Sequence, residues 1–202
     1  MNKLPNILTS LRIFIIPVMV LSFYIPGLFA NVVSATLFAI AAITDYFDGY
    51  FARSLNAESN FGKCLDPIAD KLIVIVAITL IISFSSHNPL IMITGLIIIC
   101  REVLVSGLRE FLANFKISVP VSKLAKYKTG VQMTSITVLL LGEKGSSYII
   151  YYVFGSWLSI SVKIMIVNFI VTTGLILFVI AAILTMVTGY QYLKIGMKKC
   201  DF

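Results

Sequence analysis

The chain has 202 residues, of which 59% are hydrophobic and 12% charged, and it carries a net charge of +7. A soluble domain of this size does not need so large an apolar share, and a helical membrane protein does; the basic excess then points to anionic lipid and anionic substrate, with no nucleic acid expected. Cys64, Cys100 and Cys200 are odd in number and lack metal-ligand spacing, which argues against a disulfide framework, so each is expected to act as a small apolar filler.

No polar, Pro-rich or Gly/Ser-rich linker and no fixed repeat interrupts the chain, so residues 1–202 read as one domain. Six apolar segments follow in order, at 11–30, 31–50, 66–86, 89–110, 126–142 and 162–190. Pro26-Gly27 and Asn88-Pro89 mark turns between them. The N-terminal segment has no small-residue cleavage site after its apolar core and is expected to be retained. Asn6, Thr9 and Arg12 open it, either as an interfacial helix start or as a lid over a nucleotide. The stretch "SSYIIYYVFGSWLSIS" at 146–161 fits either an interfacial aromatic segment or the end of a longer helix. The predicted fold is therefore an all-α integral membrane bundle of six transmembrane helices.

An even number of spans puts both termini on one side. Fourteen Lys and Arg residues then share that side, against Lys144 and Lys163 on the other. The positive-inside rule makes the shared side cytoplasmic. His87 falls in a predicted external turn and receives no role.

Span lengths locate the charges. Crossing about 30 Å of hydrocarbon takes about 20 helical residues. The uncharged run from Val32 to Thr44 holds only 13, or roughly 20 Å at about 1.5 Å per residue. The runs after Lys71, before Arg101 and after Lys128 are equally short or shorter. Each helix reaches across only if its charged end is counted in. Asp45, Asp48, Asp66, Asp70, Arg101 and Lys128 are thus expected below the cytoplasmic surface, lining a polar cavity open to the cytoplasm.

Asp45 and Asp48 are three residues apart, and Asp66 and Asp70 four apart, so each pair shares a helix face. Four carboxylates meeting at one point repel unless something neutralises them. Hard divalent cations do so through oxygen ligands, and no His stands among them to favour zinc. Two such ions, Mg²⁺ or Mn²⁺, fit phosphoryl transfer, where they clamp a diphosphate. Read singly, Asp66-Pro67 is also an ordinary helix cap with proline at the first helical position, and Gly49 and Gly62 are also packing glycines.

The joint spacing is more specific. Asp45, Asp48, Gly49, Ala52, Arg53, Gly62, Asp66 and Asp70 form D-x-x-D-G-x-x-A-R, eight residues, then G-x-x-x-D-x-x-x-D. This resembles the signature of the CDP-alcohol phosphatidyltransferase family, with every position matched. The resemblance implies an enzyme that moves a phosphatidyl group from CDP-diacylglycerol to an alcohol and releases CMP. It implies Asp45, Asp48, Asp66 and Asp70 as ligands of the metals, with Asp70 also the general base. Asp48, Gly49, Ala52, Arg53, Ser59 and Gly62 are implied to bind CDP-diacylglycerol. A homodimer in the bacterial cytoplasmic membrane is implied as well, with membrane lipid as its surroundings.

The acceptor is read elsewhere. "LPNILTSLRIFIIP", "CREVLVSGLREF" and "KLAKYKTGVQM" resemble the branch of the family that uses sn-glycerol 3-phosphate. Arg101, Arg109, Lys126 and Lys128 suit an acceptor that carries a phosphate of its own. Lys116 and Lys123 fit the positive-inside rule as well as any pocket, and Lys63 and Lys71 read as surface charges. Branches that make cardiolipin or phosphatidylinositol phosphate would share the aspartates and differ at the acceptor. A membrane cation transporter, the competing class, would be expected to break helices in both halves, whereas the four aspartates lie between two adjacent spans.

Overall fold

The computed structural model describes residues 4–25, 27, 29–55, 60–85, 88–115, 123–155 and 157–199; the side chains of 4–9, 45–55, 60–64, 66, 114, 123, 198 and 199 lie outside that description. The described residues form six helices: α1 (Leu4–Tyr24), α2 (Phe29–Leu55), α3 (Asn60–Phe84), α4 (Pro89–Asn114), α5 (Lys123–Phe154) and α6 (Ile160–Lys199). Three of them contain runs long and apolar enough to cross a membrane: Pro67–Phe84, Pro89–Ala113 and Ile160–Met197. Shorter apolar helical runs cover Ser10–Tyr24 and Phe29–Thr44.

Each predicted segment falls mainly on one helix, but the bounds differ: 11–30 runs past the end of α1 at Tyr24 and 66–86 past the end of α3 at Phe84, while the helices extend beyond the segments elsewhere. α1 begins at Leu4 rather than near 11, and α6 runs to Lys199. The helices keep going because a hydrogen-bonded backbone continues past the last apolar residue, whereas an apolar run stops at its first charge. Asp45 and Asp48 accordingly lie inside α2. Asp66 and Asp70 lie inside α3, whose first residue is Asn60, so Asp66 does not cap that helix and Pro67 is an interior proline. The break at Asn88-Pro89 is a genuine cap: the Asn88 side chain accepts from the Leu90 amide at 3.0 Å, and Pro89 opens α4 without an N–H to satisfy.

The stretch at 146–161 joins two of the predicted elements. Gly142, at φ 57° and ψ −165°, interrupts α5 in a conformation suited to glycine. A second helical limb then runs to Phe154, and the chain turns into α6. Beside this kink the Asn31 side-chain amide of α2 donates to the Leu140 carbonyl at 3.1 Å.

Small and β-branched side chains hold the bundle together. Ala35, Phe38 and Ala41 of α2, Ala77 and Ile78 of α3, Ile136 and Leu140 of α5 and Phe178 and Ala181 of α6 meet in one buried core. The Ser22 and Ser34 hydroxyls join α1 to α2 at 2.5 Å. Large apolar side chains such as Phe14, Phe169 and Trp157 are exposed, the pattern of a surface that faces lipid. Cys100 belongs to that surface: it is exposed on α4 rather than buried, because hydrocarbon outside the bundle is as apolar as the inside.

Gly174 lets α6 approach α5. A Cβ there would lie 2.6 Å from Val138 Cγ1, on a stiff β-branched side chain, whereas a Cβ on Gly107 meets nothing within 4 Å. Gly174→Ala is therefore expected to destabilise the folded protein by about 1–3 kcal/mol through overpacking, and Gly107→Ala to be neutral or slightly stabilising. Thermal unfolding of both variants in detergent checks the pair; equal midpoints would contradict the α5–α6 contact.

Candidate active site

Two polar clusters sit within this apolar frame. The first rests on α2 and α3, which touch each other. Helical backbone through 45–48 and 66–70 keeps each aspartate pair on one helix face. The side chains of Asp45, Asp48, Ala52, Arg53 and Asp66, and the positions Gly49 and Gly62 as they bear on a ligand, lie outside the described residues, and Ser59 lies outside them entirely. Asp70 is described. Its carboxylate accepts a hydrogen bond from Arg12 Nη1 of α1, and the two form an ion pair. Arg12 is 2% exposed and Asp70 about one-third exposed. A buried guanidinium needs a fixed anion beside it, so Arg12 anchors the N-terminal helix to the carboxylate helix.

The second cluster is built by α4, α5 and α6. Glu102 accepts from Lys128 Nζ and lies 3.4 Å from Arg101 Nη1 through the same oxygen, Oε1. Arg101 Nη2 donates to Thr188 Oγ1 at 3.0 Å, and its guanidinium lies 6.0 Å from the centre of the Tyr192 ring. Gly189 makes room for this arginine, since a Cβ there would sit 3.1 Å from Arg101 Cγ. One helical turn towards the middle of the bundle, Gln132 Oε1 and Thr185 Oγ1 are buried without a hydrogen-bond partner among the described residues. Among the described residues two cations share one carboxylate, so the cluster keeps a positive charge and spare polar atoms in a setting that suits an anion.

The sequence matches the CDP-alcohol phosphatidyltransferase family over residues 2–191. The chain belongs to this family. Among curated relatives, it is 47% identical over 193 residues to a Rickettsia bellii (strain RML369-C) protein, covering 96% of this chain and 94% of the relative. It is 45% identical over 194 residues to a Rickettsia typhi (strain ATCC VR-144 / Wilmington) protein, covering 96% and 97%. A Salmonella choleraesuis (strain SC-B67) protein is 36% identical over 194 residues, covering 95% and 93%. Each of the three is named CDP-diacylglycerol–glycerol-3-phosphate 3-phosphatidyltransferase.

Within this phosphatidyltransferase chain, the four cations expected around the acceptor divide. Arg101 and Lys128 are nearly buried and share Glu102. Arg109 and Lys126 are exposed and make no contact with that cluster among the described residues. Lys126 and Lys128 are two residues apart, about 200° around a helix, so they cannot face the same way. Lys71 is not simply a surface charge, because its ammonium donates to Ser106 Oγ of α4. Arg12 and Glu102 had a sequence signal, a charge within or beside an apolar run; Thr188 and Tyr192 had none.

The donor set fits a hard divalent cation: carboxylates at helical spacing on two touching helices, one of them shown reaching a cationic partner. Among the described residues alone, no group of three metal-ligating side chains forms, and three of the four aspartate side chains fall outside them.

Glu102→Ala would leave Arg101 and Lys128 buried together without their anion. It is expected to cost about 3 kcal/mol of stability, the scale for breaking a buried pair. Lys128→Met added to it should recover part of the loss. Unfolding midpoints of the single and double variants in detergent check this; a double variant weaker than the sum of both changes would contradict the shared-carboxylate arrangement.

Proposed function

We propose that this chain transfers the phosphatidyl group of CDP-diacylglycerol to sn-glycerol 3-phosphate, giving phosphatidylglycerol phosphate and CMP. The acceptor assignment is carried by one observation: Lys128, which is buried, and Arg101, which is nearly so, share the Glu102 carboxylate, and among the described residues this leaves one positive charge in excess. A neutral alcohol would not need them. An acceptor phosphate can take hydrogen bonds from both without leaving either cation unpaired. The names of the relatives point to the same acceptor.

In this reading all six helices cross the bacterial cytoplasmic membrane, both termini are cytoplasmic, and the site opens to the cytoplasm as a polar cavity. The protein works as a homodimer among membrane lipids. Asp45, Asp48, Asp66 and Asp70 hold two divalent cations, Mg²⁺ or Mn²⁺, which when bound neutralise charge on the donor diphosphate. Asp48, Gly49, Ala52, Arg53, Ser59 and Gly62 receive CDP-diacylglycerol, the glycines by leaving space for its nucleotide. Arg101 and Lys128 receive glycerol 3-phosphate, while Arg109 and Lys126, expected from the sequence to join them, stand apart on the exposed surface.

Asp70 takes the proton of the acceptor hydroxyl. The hydroxyl oxygen bonds to the phosphorus that carries diacylglycerol, and that phosphorus parts from the bridging diphosphate oxygen, which leaves on CMP. Arg12 orients the Asp70 carboxylate for this step through their ion pair.

Three outcomes are expected. Excess chelator abolishes turnover and added Mg²⁺ or Mn²⁺ restores it; full turnover in chelator would remove the metal site from the account. Asp70→Asn abolishes single turnover yet binds CDP-diacylglycerol, whereas Asp45→Asn loses both, because a charged ligand matters in the ground state and a base only in the transition state. Equal loss of donor affinity in both would make Asp70 one more ligand. Finally, Arg101→Ala raises the KM for glycerol 3-phosphate about tenfold or more, from a charge-assisted contact of about 1.5–3 kcal/mol, with donor affinity little changed. An unchanged acceptor KM would place the acceptor phosphate elsewhere.

A further inference from the structure

The second limb of α5 and the start of α6 enclose a groove of about 540 Å³. It is far from the site above: Lys163 on its wall lies 25 residues before Thr188 on α6, about 38 Å along the helix at roughly 1.5 Å per residue. Its polar lining is Glu143, Ser147, Tyr148 and Tyr151 from α5 and Lys163 and Asn168 from α6, above an apolar floor that includes Ile164 and Val167. Lys163 donates to the Gly155 carbonyl, which ends the α5 limb, and its ammonium lies 5.4 Å from the Tyr151 ring centre. An ammonium has three N–H donors, so further ones can serve a ligand. Among the described residues neither Glu143 nor Asn168 has an ion-pair or hydrogen-bond partner.

An exposed amide two turns into an apolar helix, with nothing to bond, is costly against hydrocarbon. Here it shares a groove with one anion, one cation and aromatic rings, next to the exposed Trp157 and Tyr152 of a membrane-interface belt. We propose that this groove binds a glycerophospholipid with a zwitterionic, primary-amine headgroup. Its phosphate pairs with Lys163, and its ammonium donates to Glu143 against the Tyr148 and Tyr151 rings. The Asn168 amide meets the ester region, and an acyl chain follows Ile164 and Val167. The choice of lipid over a second copy of this chain rests on charge complementarity: the groove offers one carboxylate from α5 and one ammonium from α6, beside the apolar Ile150, Ile160, Ile164 and Val167. A quaternary amine fits less well because it cannot donate to Glu143. The inference depends on the chain lying in a bilayer and not on the reaction proposed above.

The test is native mass spectrometry of the full chain in detergent, titrated with phosphatidylethanolamine, its N-acetyl derivative, phosphatidylcholine and phosphatidylglycerol of matched acyl chains. Phosphatidylethanolamine is expected to bind about tenfold more tightly than the N-acetyl form, the scale of one charge-assisted contact. Glu143→Gln should erase that difference, and Lys163→Gln should weaken every phospholipid about tenfold. Both variants lie outside the proposed catalytic machinery, so unchanged turnover certifies their fold. Equal binding of phosphatidylethanolamine and its N-acetyl form by the wild-type chain overturns the proposal whatever the variants do. So does a disulfide between two Asn168→Cys copies that leaves lipid selectivity unchanged, which would assign the groove to a contact between copies.

Discussion

Ionised side chains inside an apolar bundle must find partners, and that constraint shapes the structure. Arg12 is almost wholly buried and is held by Asp70. Arg101 and Lys128 are held by Glu102. Each pairing ties separate helices together: α1 to α3 in the first case, and α4 to α5 in the second, with Thr188 bringing in α6. In water such pairs would contribute little, but at low dielectric an unmatched member is costly. The same groups that organise the bundle are those that would meet a doubly charged donor and a phosphorylated acceptor. In the proposed reaction, substrate anions take over part of a balance that the protein keeps internally.

The two ends of the bundle are different in kind. One end collects carboxylates, arginines and lysines on α2 to α6. The other is aromatic and lightly charged, and it is set apart by the kink at Gly142. A side chain from another helix braces that kink, since the Asn31 amide of α2 donates to the Leu140 carbonyl two residues before the glycine. The bend therefore depends on α2 as much as on local sequence, and it shapes the groove between the α5 limb and α6.

Much of this was legible in the sequence because membrane helices advertise themselves. Apolar runs, Gly/Pro breaks and short uncharged lengths located all six helices and indicated that Asp45, Asp48, Asp66 and Asp70 are helical residues. Hydropathy could not show how far the helices continue into charged or polar sequence, so α1 was placed too late and the other five came out too short, α5 most of all. It also could not separate Lys126 from Lys128, although helical geometry could have, because two residues on a helix face nearly opposite ways. Asp66-Pro67 resembled a cap because the motif is local, while the turns before it that make the proline internal are not strongly helical by composition. Arg12 was visible as a charge in an oily helix, but its partner lies 58 residues away. Thr188, Tyr192 and Gly189 were invisible: an uncharged hydroxyl, a ring and a glycine in a long apolar helix carry no signal until α4 is packed beside them.

The central claim is that this family member uses sn-glycerol 3-phosphate as its acceptor, held by Arg101 and Lys128. CMP release and lipid product are the direct readout, measured on the purified chain with CDP-diacylglycerol and a panel of sn-glycerol 3-phosphate, glycerol, phosphatidylglycerol and inositol phosphate. The account predicts CMP release with sn-glycerol 3-phosphate, a product lipid bearing a terminal phosphate, and little turnover with glycerol. Preferential turnover with glycerol, phosphatidylglycerol or inositol phosphate would contradict it.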